Sequence, residues 1–410
     1  MHKNLTTTVL VAAGLIGCTS TFADSDFDKD KHPGRTQVST LAVYGDSPYG
    51  CKTSECPAGL SSDKPDGPNP SDPRQIEASP EFINAINHDP KIDLVMHVGD
   101  IHSGSQYCTL SYNRTIASLW SNFKDPLVYT PGDNEWTDCH KSGEGGNIQD
   151  STGNFVNYAN GDPVANLALI RAMFFPKTGE TLGEHKQKVI SQAIAYDTSF
   201  PKDAEYVENV MWEQSGVLFV TVNIPGGSNN DDDKWYGADK TNTQIQEAAQ
   251  RTAADLRWLD AAFTKAQSQG YQAVVIAEQA DMWDLDGKAA SHIANYQAFI
   301  DSIAAHTIAF GKPVLLINGD SHVYRSDNPL TDNAPCFTEA GGCSDDAYDS
   351  QAQNRSNLGK PPFDVSNFHR LVVHGSTFPL EYLRLTINPR AKNDDSDSAF
   401  GPFNWERVQP

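Results

Sequence analysis

The stretch "DLVMHVGDIHSG", residues 93–104, decides the fold because an apolar run passes directly into Gly-Asp. The run has the length of one buried strand, and the glycine lets the chain turn sharply where the strand ends. The same junction occurs three more times, in "LAVYGDSPYG" (41–50), "PLVYTPGDNEW" (126–136) and "VLLINGDSHVYR" (314–325). A single Gly-Asp is typical of a turn. Four of them, each after an apolar run, indicate carboxylates that share one site.

The first half of the chain alternates between strand and helix patterns. It predicts a strand at 38–45, a helix that starts at Ser79-Pro80, a strand at 93–98, a helix at about 110–122 and a strand at 126–130. This order is typical of parallel strands joined by helical crossovers. Because parallel strands deliver their carboxyl ends to one edge of a sheet, we expect the aspartates of the four junctions to converge there. They are Asp46, Asp100, Asp133 and Asp320.

The second half predicts more strands and two long helices. Two β-rich runs meet around residues 214–216, which is a hairpin pattern. A long amphipathic helix follows and ends at Gly270. Further segments are a strand at 273–278, a helix near 289–309 and strands at 313–318, 369–376 and 380–387. The sequence shows no internal repeat and no linker, so it favours one elaborated domain.

The overall composition limits the class of partner. The chain has 410 residues, a formal net charge of -22 and a pI near 4.8, with a mean hydropathy of -0.49. Such an acidic protein is not expected to bind nucleic acid or an anionic membrane surface through electrostatic attraction. The acidity itself is typical of secretion or of a saline habitat.

The N-terminal segment has the pattern of a secretory signal. Residues 1–23 place Lys3 before an apolar run that is too short to span a bilayer. The run Leu15–Cys18, "LIGC", resembles a bacterial lipobox and would attach a lipid anchor at Cys18. The alternative is ordinary cleavage before Asp24. Either alternative predicts an exported protein, which is periplasmic, a cell-surface lipoprotein or secreted.

The remaining chain divides into three parts. Residues 24–36 are charged and predict a flexible lead-in. Residues 37–390 would form the domain with its loop insertions, and residues 391–410 a C-terminal tail. No later apolar stretch is long enough for a transmembrane helix.

Six cysteines follow the signal segment. An even number in an exported protein favours disulfides, although six cysteines allow 15 connectivities. Pairing between near neighbours is the simplest arrangement. It gives Cys51–Cys56, Cys336–Cys343 and, for the remaining two, Cys108–Cys139.

The converging aspartates need a counter-charge. Carboxylates packed together repel one another and resist removal from water unless a cation lies between them. A divalent metal ion is the natural occupant. His322, two residues after Asp320, would add a nitrogen ligand.

The order of these motifs resembles the calcineurin-like metallophosphoesterases, the superfamily that includes the purple acid phosphatases. That superfamily has an Asp after its first strand, GD after the second, GNH and an acidic residue after the third, a strand ending in His, and then GHxH. The matching stretches are "GDSP", "HVGDIHSG", "GDNE", "VVIAEQADMW" and "GDSHVYR". The resemblance spans roughly residues 38–325. It implies an α/β fold, a four-layer α/β/β/α sandwich with two mixed β-sheets.

The resemblance also implies a role for each matching residue. Asp46 would bind the first metal ion, and Asp100 would bridge both ions. Asp133 stands where the superfamily has an Asn ligand, and His322 matches the last His of GHxH. The implied ligands are Asp46, Asp100, Asp133, Gln279, Asp320 and His322.

Several superfamily histidines are replaced in this chain. Asp320 stands in place of the first His of GHxH, Gln279 in place of the fourth-motif His, and Asn134 in place of the His that protonates the leaving group or orients phosphate. Asn134 can hydrogen-bond a phosphoryl oxygen but cannot act as a general acid. His102, or alternatively His140 in "TDCHK", is therefore predicted to supply an acid or an extra ligand.

The implied cofactors are two divalent or trivalent metal ions. The replacements add carboxylate and amide oxygens, which favour Mg, Mn, Ca or Fe ions over a site of the Zn type. The implied function is metal-dependent hydrolysis of a phosphate mono- or diester by a hydroxide that the metal ions activate. Four carboxylates roughly cancel the charge of two divalent ions, which favours a small-molecule substrate of low charge.

Two other functions fit parts of the sequence. The lost histidines suit a non-catalytic metal-binding protein on a degenerate phosphoesterase scaffold. "VYGDSPYG" also looks like the first block of the GDSL-type serine esterases, with Ser47 as the nucleophile. That family needs a late Asp-x-x-His, whereas one residue separates Asp320 from His322.

Overall fold

A computed structural model describes residues 33–50, 74–230, 234–237, 239–284, 290–332, 334–343, 355–391 and 396–410. The predicted signal segment, the lipobox cysteine Cys18 and the predicted Cys51–Cys56 pair lie outside these residues. No described helix has both the length and the apolarity needed to cross a membrane.

The described residues form fifteen strands, seven α-helical segments and five short 3₁₀ helices. The strands are β1 (Ser39–Tyr44), β2 (Ile92–His97), β3 (Leu127–Tyr129), β4 (Ile190–Ser191), β5 (Val210–Gln214), β6 (Val217–Thr221), β7 (Ala273–Ala277), β8 (Val314–Asn318), β9 (Arg325–Asp327), β10 (Phe337–Thr338), β11 (Gly341–Gly342), β12 (Phe368–Val372), β13 (Tyr382–Ile387), β14 (Ala399–Phe400) and β15 (Phe403–Val408). The α-helical segments are α1 (Arg74–His88), α2 (Leu110–Trp120), α3 (Pro163–Phe174), α4 (Gln192–Ala195), α5 (Gly226–Asn230), α6 (Asn242–Ser268) and α7 (Ala290–Phe310).

Local sequence signals explain where several helices begin and end. The side chains of Thr109, Asp162 and Thr241 cap the first turns of α2, α3 and α6 by accepting backbone N–H bonds. Gly270, at φ +69°, follows the end of α6, as the sequence predicted. The predicted hairpin is the β5–β6 pair, which turns at Ser215 and Gly216.

The strands form two mixed sheets. The first has the order β14-β15-β13-β1-β2-β3, and the second has the order β11-β10-β9-β12-β8-β7-β6-β5-β4. In the first sheet β1, β2 and β3 are parallel, while β13 and β15 run antiparallel to their neighbours. In the second, β6, β7, β8 and β12 are parallel. The four aspartates of the Gly-Asp junctions follow the carboxyl ends of parallel strands in these two sheets.

The alternation of side chains along the strands produces four layers. Leu41 and Val43 of β1 pack between the sheets with Val275 and Ile317 of the second sheet. Side chains on the other face of the first sheet, such as that of Tyr44, pack against the helices of the first half of the chain. On the outer face of the second sheet, α6 and α7 cover a third apolar cluster. The predicted four-layer α/β/β/α sandwich with two mixed β-sheets is therefore correct.

The C-terminal residues differ from the prediction of a tail that starts at residue 391. β14 and β15 continue the first sheet, and β15 pairs with β13 along six residues. Phe403 and Trp405 are buried between the sheets. These residues belong to the domain because their apolar side chains alternate toward that core.

Two of the three predicted disulfides lie in the described residues. Cys108 pairs with Cys139, with 5.7 Å between their Cα atoms, and Cys336 pairs with Cys343. The first bridge ties the segment after β2 to the segment after β3. It therefore limits the movement of two segments that follow strands of the first sheet.

Candidate metal centre

The four aspartates predicted from the junctions follow the ends of β1, β2, β3 and β8. Asp46, Asp100 and Asp320 have φ angles of 48°, 58° and 76°, and His322 has a φ of 62°. Positive φ is unfavourable for residues with a Cβ, by about 1–3 kcal/mol each, and such residues concentrate at functional sites. The backbone is therefore strained at four of the six positions where the sequence predicted ligands.

The aspartates form two groups that could each hold a metal ion. In the first group, ligand atoms of Asp46, Asp100 and His322 all lie within 4.8 Å of one another. In the second, ligand atoms of Asp100, Asp133 and Asp320 do so. Asp100 belongs to both groups.

Asp46 and Asp320 connect the two sheets at this site. The backbone N–H of Asp320 donates a hydrogen bond of 2.9 Å to Oδ1 of Asp46. Nε2 of His322 lies 3.6 Å from the same oxygen. The hydroxyl of Tyr49, which is buried, is 3.1 Å from Nε2 of His322.

Asn134 and Gln279 hold the shared carboxylate. The backbone N–H of Asn134 donates to Oδ1 of Asp100, and its side-chain amide donates to Oδ2 at 3.0 Å. The Gln279 amide donates to Asp100 and to Oδ1 of Asp133, each at 3.0 Å. Its oxygen accepts the N–H of Gly226. Gln279 thus lies in the site, but its oxygen, the atom that could bind a metal ion, bonds to the main chain.

Burial and mutual repulsion raise the pKa values of these carboxyl groups. Removal from water raises the pKa of Asp100 well above its usual value, and the charge of Asp133 adds to the effect. The pKa of Asp133 is raised by burial and then by Asp138 and Asp320. Burial is also the largest cause of the raised pKa of Asp46. Charged carboxylates in this arrangement need a cation.

The arrangement fits a metal ion in three respects. Oδ2 of Asp46 is buried and accepts no hydrogen bond from any described group. The donors are hard carboxylate oxygens with one imidazole. Finally, the main chain approaches the carboxylates closely: a Cβ on Gly132 would lie 2.0 Å from Oδ1 of Asp100, and a Cβ on Gly375 would lie 2.2 Å from Cβ of Asp46.

Two other candidate residues, His102 and His140, lie outside both ligand groups. His102 is fully buried, with its ring against Tyr112 and near the Cys108–Cys139 bridge. Burial lowers its pKa to about 4. Nδ1 of His140 donates a hydrogen bond to the backbone carbonyl of Thr137. The position of His102 gives no support to its predicted role as an acid or ligand, which stays a prediction.

Sequence reasoning missed part of the surroundings of the site. Gly226 lies against two ligands, since a Cβ there would be 2.6 Å from Oδ2 of Asp133 and 2.8 Å from Oδ1 of Asp320. Tyr49 follows the first Gly-Asp by three residues and could have been proposed from that spacing. Arg370, which contacts Asp281 behind the site, carried no signal in the sequence because its β-strand lies far from every motif.

Two face-to-face mixed sheets, with clustered carboxylates at the ends of parallel strands, define an α/β protein with a candidate metal centre. The chain belongs to the calcineurin-like phosphoesterase family, whose family model matches residues 40–250. The superfamily predicted from the motifs is thereby confirmed. Asp46, Asp100 and Asp133 fall inside the matched region, whereas Asp320 and His322 lie beyond it.

Comparison with solved structures gives the purple acid phosphatase PPD1 from seeds of yellow lupin (Lupinus luteus). The match has a TM-score of 0.38 and 12% identity, and it covers 92% of this chain and 52% of the lupin chain. The protein thus spans about half the length of that phosphatase. Comparison with curated protein sequences gives no match.

Proposed function

We propose that the protein is an exported metal-dependent phosphoesterase that hydrolyses a phosphate mono- or diester at a dinuclear centre. The observation that carries the proposal is the position of Asp100, whose carboxylate belongs to two groups of facing ligand atoms. Membership of the calcineurin-like phosphoesterase family supports the reaction class.

Each ion would have its own ligands besides the shared one. Asp46 and His322 would hold one ion, Asp133 and Asp320 would hold the other, and Asp100 would contact both. Bound divalent ions supply Lewis-acid stabilisation of phosphoryl oxygens and lower the pKa of water.

The protein's own residues orient this centre and limit access to it. Asn134 holds both oxygens of Asp100, and its neutral amide is not acidic enough to protonate a leaving group. Asp46 is fully buried, whereas the side chain of His322 is 41% exposed. A substrate would therefore approach from the side of residues 320–322, which are partly exposed.

The charge of the centre favours a substrate of low charge. The four aspartates roughly cancel two divalent ions, so the loaded centre attracts a phosphate dianion weakly. A phosphodiester carries one negative charge and is the preferred substrate class. The oxygen-rich ligand set favours Mn, Mg, Ca or Fe ions over Zn.

Export is supported by the covalent structure. The disulfides Cys108–Cys139 and Cys336–Cys343 are typical of proteins that fold outside the reducing cytosol. The signal pattern of residues 1–23 supports the same compartment.

The test combines metal analysis with turnover. Purified protein is examined for bound metals, stripped with a chelator and reloaded separately with Mn²⁺, Mg²⁺, Ca²⁺, Fe²⁺ and Zn²⁺. Each form is assayed on 4-nitrophenyl phosphate and bis(4-nitrophenyl) phosphate. We expect turnover that is lost on chelation, returns with an oxygen-preferring ion and is faster for the diester. Asp100→Asn is the inactive control.

A non-catalytic metal-binding protein is the second candidate. It is favoured by Asn134, which cannot act as a general acid, and by the enclosed position of His102. Bound metal without turnover of either ester would support this candidate and refute the enzyme. Family membership argues against the GDSL-type esterase. Ser47 is also buried, and its contact with His97 runs through its backbone carbonyl.

A further inference from the structure

Four charged side chains form an enclosed network directly behind Asp320. This buried ion network consists of Asp281, Arg325, Asp327 and Arg370, each at most 2% exposed. It contains two guanidinium groups and two carboxylates, so its charges balance. Buried charges of this kind are tolerated only when they are paired and hydrogen-bonded.

Arg370 is the centre of the network. It lies on β12 directly opposite Asp327 on β9. Nε and one terminal nitrogen of Arg370 donate to the two oxygens of Asp327, at 2.9 and 2.7 Å. The other terminal nitrogen donates to Oδ1 of Asp281 at 2.5 Å. The planar fork of Arg370 therefore fixes Asp281 relative to the second sheet.

Asp281 in turn connects the network to a proposed ligand. Its backbone N–H donates to Oδ2 of Asp320 at 3.0 Å. Its Oδ2 accepts from the hydroxyl of Ser321 at 2.8 Å and from Arg325 at 2.9 Å. Both partners of the bond between Asp281 and Asp320 are therefore restrained. Two arginines bond to the Asp281 side chain, and Ser321, which follows Asp320, bonds to the same side chain.

This arrangement leaves Asp320 little freedom. One carboxylate oxygen accepts from Asp281, and its backbone N–H donates to Asp46. Its φ of 76° is a strained conformation that persists only when the surroundings determine it. A carboxylate on a short, strained turn can otherwise rotate, and metal affinity depends on ligands that are already oriented.

We propose that Arg370 and Asp281 are positioning residues for one metal ion, the ion held by Asp100, Asp133 and Asp320. The inference rests on the proposed dinuclear centre. The network keeps the Asp281 amide against Asp320 and so presents the other Asp320 oxygen to the metal ion. Asp46 and His322 would hold the other ion, and Asp46 is linked to the network only indirectly, through Asp320, in the part of the chain that the structure describes.

The test is the binding of Mn²⁺ to metal-free protein, measured by isothermal titration calorimetry. Arg370→Lys keeps the charge and loses the fork, while Asp281→Asn loses the ion pairs and keeps the backbone amide. For each variant we expect the affinity of one Mn²⁺ to fall about 10–100-fold, with the affinity of the other unchanged.

The matched control is Arg257→Lys. Arg257 on α6 makes a similar two-point contact with the buried carboxylate of Asp203, at 2.8 and 2.5 Å. Neither residue contacts the candidate centre. This variant is expected to lose some stability and to keep both Mn²⁺ affinities, because it breaks a two-point Arg–Asp pair that lies away from the centre and is more exposed than the Arg370 pair.

Ser321→Ala is a milder variant that tests the proposal even if the network variants do not fold. Ser321 is partly exposed, and the change removes one hydrogen bond to Asp281 without removing a charge. Folding is checked by circular dichroism and by the thermal midpoint. A selective loss of one Mn²⁺ affinity in Ser321→Ala, of about 10-fold, supports the proposal.

Two results would overturn the proposal. One is a folded Ser321→Ala or network variant that retains both affinities. The other is an equal fall in both affinities that Arg257→Lys reproduces, because that fall would reflect general destabilisation. Wild-type protein that binds no Mn²⁺ would instead refute the proposed function itself, so the two failures are distinguishable.

Discussion

The backbone N–H of Asp320 donates a hydrogen bond to the side chain of Asp46, although the two residues are 274 positions apart in the sequence. Asp46 follows β1 of the first sheet, and Asp320 follows β8 of the second. The candidate metal centre therefore lies where the two sheets meet. Its geometry therefore depends on how the two sheets pack against each other.

The shared position of Asp100 gives a prediction about stoichiometry. We expect Asp100→Asn to abolish high-affinity binding of both ions, because the carboxylate belongs to both ligand groups. Asp320→Asn should weaken only one ion. Calorimetric titration with Mn²⁺ measures the number of ions that each variant binds and the affinity for each ion. Equal loss in the two variants would contradict a bridging role for Asp100.

Metal binding should stabilise the protein more at higher pH. The pKa values of Asp46, Asp100 and Asp133 are raised by burial, so the metal-free folded state binds more protons than the unfolded chain above about pH 4. The free energy of unfolding of the metal-free protein therefore falls as pH rises through the window between the unfolded and the raised pKa values.

Ions bind the deprotonated carboxylates, so they remove this repulsion and release protons. We expect the rise in thermal midpoint on adding Mn²⁺ to be larger at about pH 8 than at about pH 5. Differential scanning fluorimetry with and without Mn²⁺ gives this difference directly. The same rise at both pH values would show that the carboxylates do not titrate with the ion.

Gly132 should tolerate no side chain. A Cβ there would lie 2.0 Å from Oδ1 of Asp100 and 2.5 Å from its backbone nitrogen. Gly132→Ala is expected to lower the free energy of unfolding by about 1–3 kcal/mol and to weaken Mn²⁺ binding, because Asp100 must move. Chemical denaturation and calorimetry measure the two effects.

Gly143→Ala is the matched control. A Cβ at Gly143 would meet no atom within 4 Å. Its effect on stability should stay within about 1 kcal/mol, with Mn²⁺ affinity unchanged. If Gly132→Ala behaves like this control, the close approach to Asp100 is unimportant.

His97 should contribute to loss of stability in acid. Its Nδ1 accepts the N–H of Gly99 and its Nε2 donates to the carbonyl of Ser47, so the folded protein holds a neutral ring. Burial lowers the pKa of His97 to about 4 from about 6.5. The unfolded chain therefore binds the proton first, and stability is lost as pH falls through this window.

His97→Gln removes this titration and keeps a donor and an acceptor. The loss of unfolding free energy between pH 7 and pH 5 should be smaller in the variant, by about 2 kcal/mol. Urea denaturation of both proteins at the two pH values measures this double difference. An identical pH dependence would mean that His97 does not contribute to acid destabilisation.

Much of the fold follows from local sequence. The apolar runs before each Gly-Asp predict β1, β2, β3 and β8, because a buried strand needs an apolar stretch and a residue that permits a turn at its end. β14 and β15 were missed. The short run "FNWERV" alternates weakly, and its strand conformation depends on pairing with β13.

The residues of the candidate site were also predicted only in part from the sequence. The order of motifs singled out Asp46, Asp100, Asp133, Asp320 and His322, and the structure brings these side chains into two overlapping groups. Sequence alone did not separate Gln279, whose side-chain oxygen bonds to Gly226, from the residues that offer carboxylate oxygens. The orientation of an amide depends on its neighbours in space.

The sequence by itself determined which side chains follow the ends of parallel strands, because strand formation and chain reversal depend on neighbouring residues. Only the tertiary structure decided that the backbone of Asp320 bonds to Asp46 and that Arg370 lies behind Asp320. Asp281 and Arg370 are 89 positions apart and meet only because β12 packs beside β8 in the second sheet. Contacts between such distant segments depend on the packing of whole sheets, which no local pattern records.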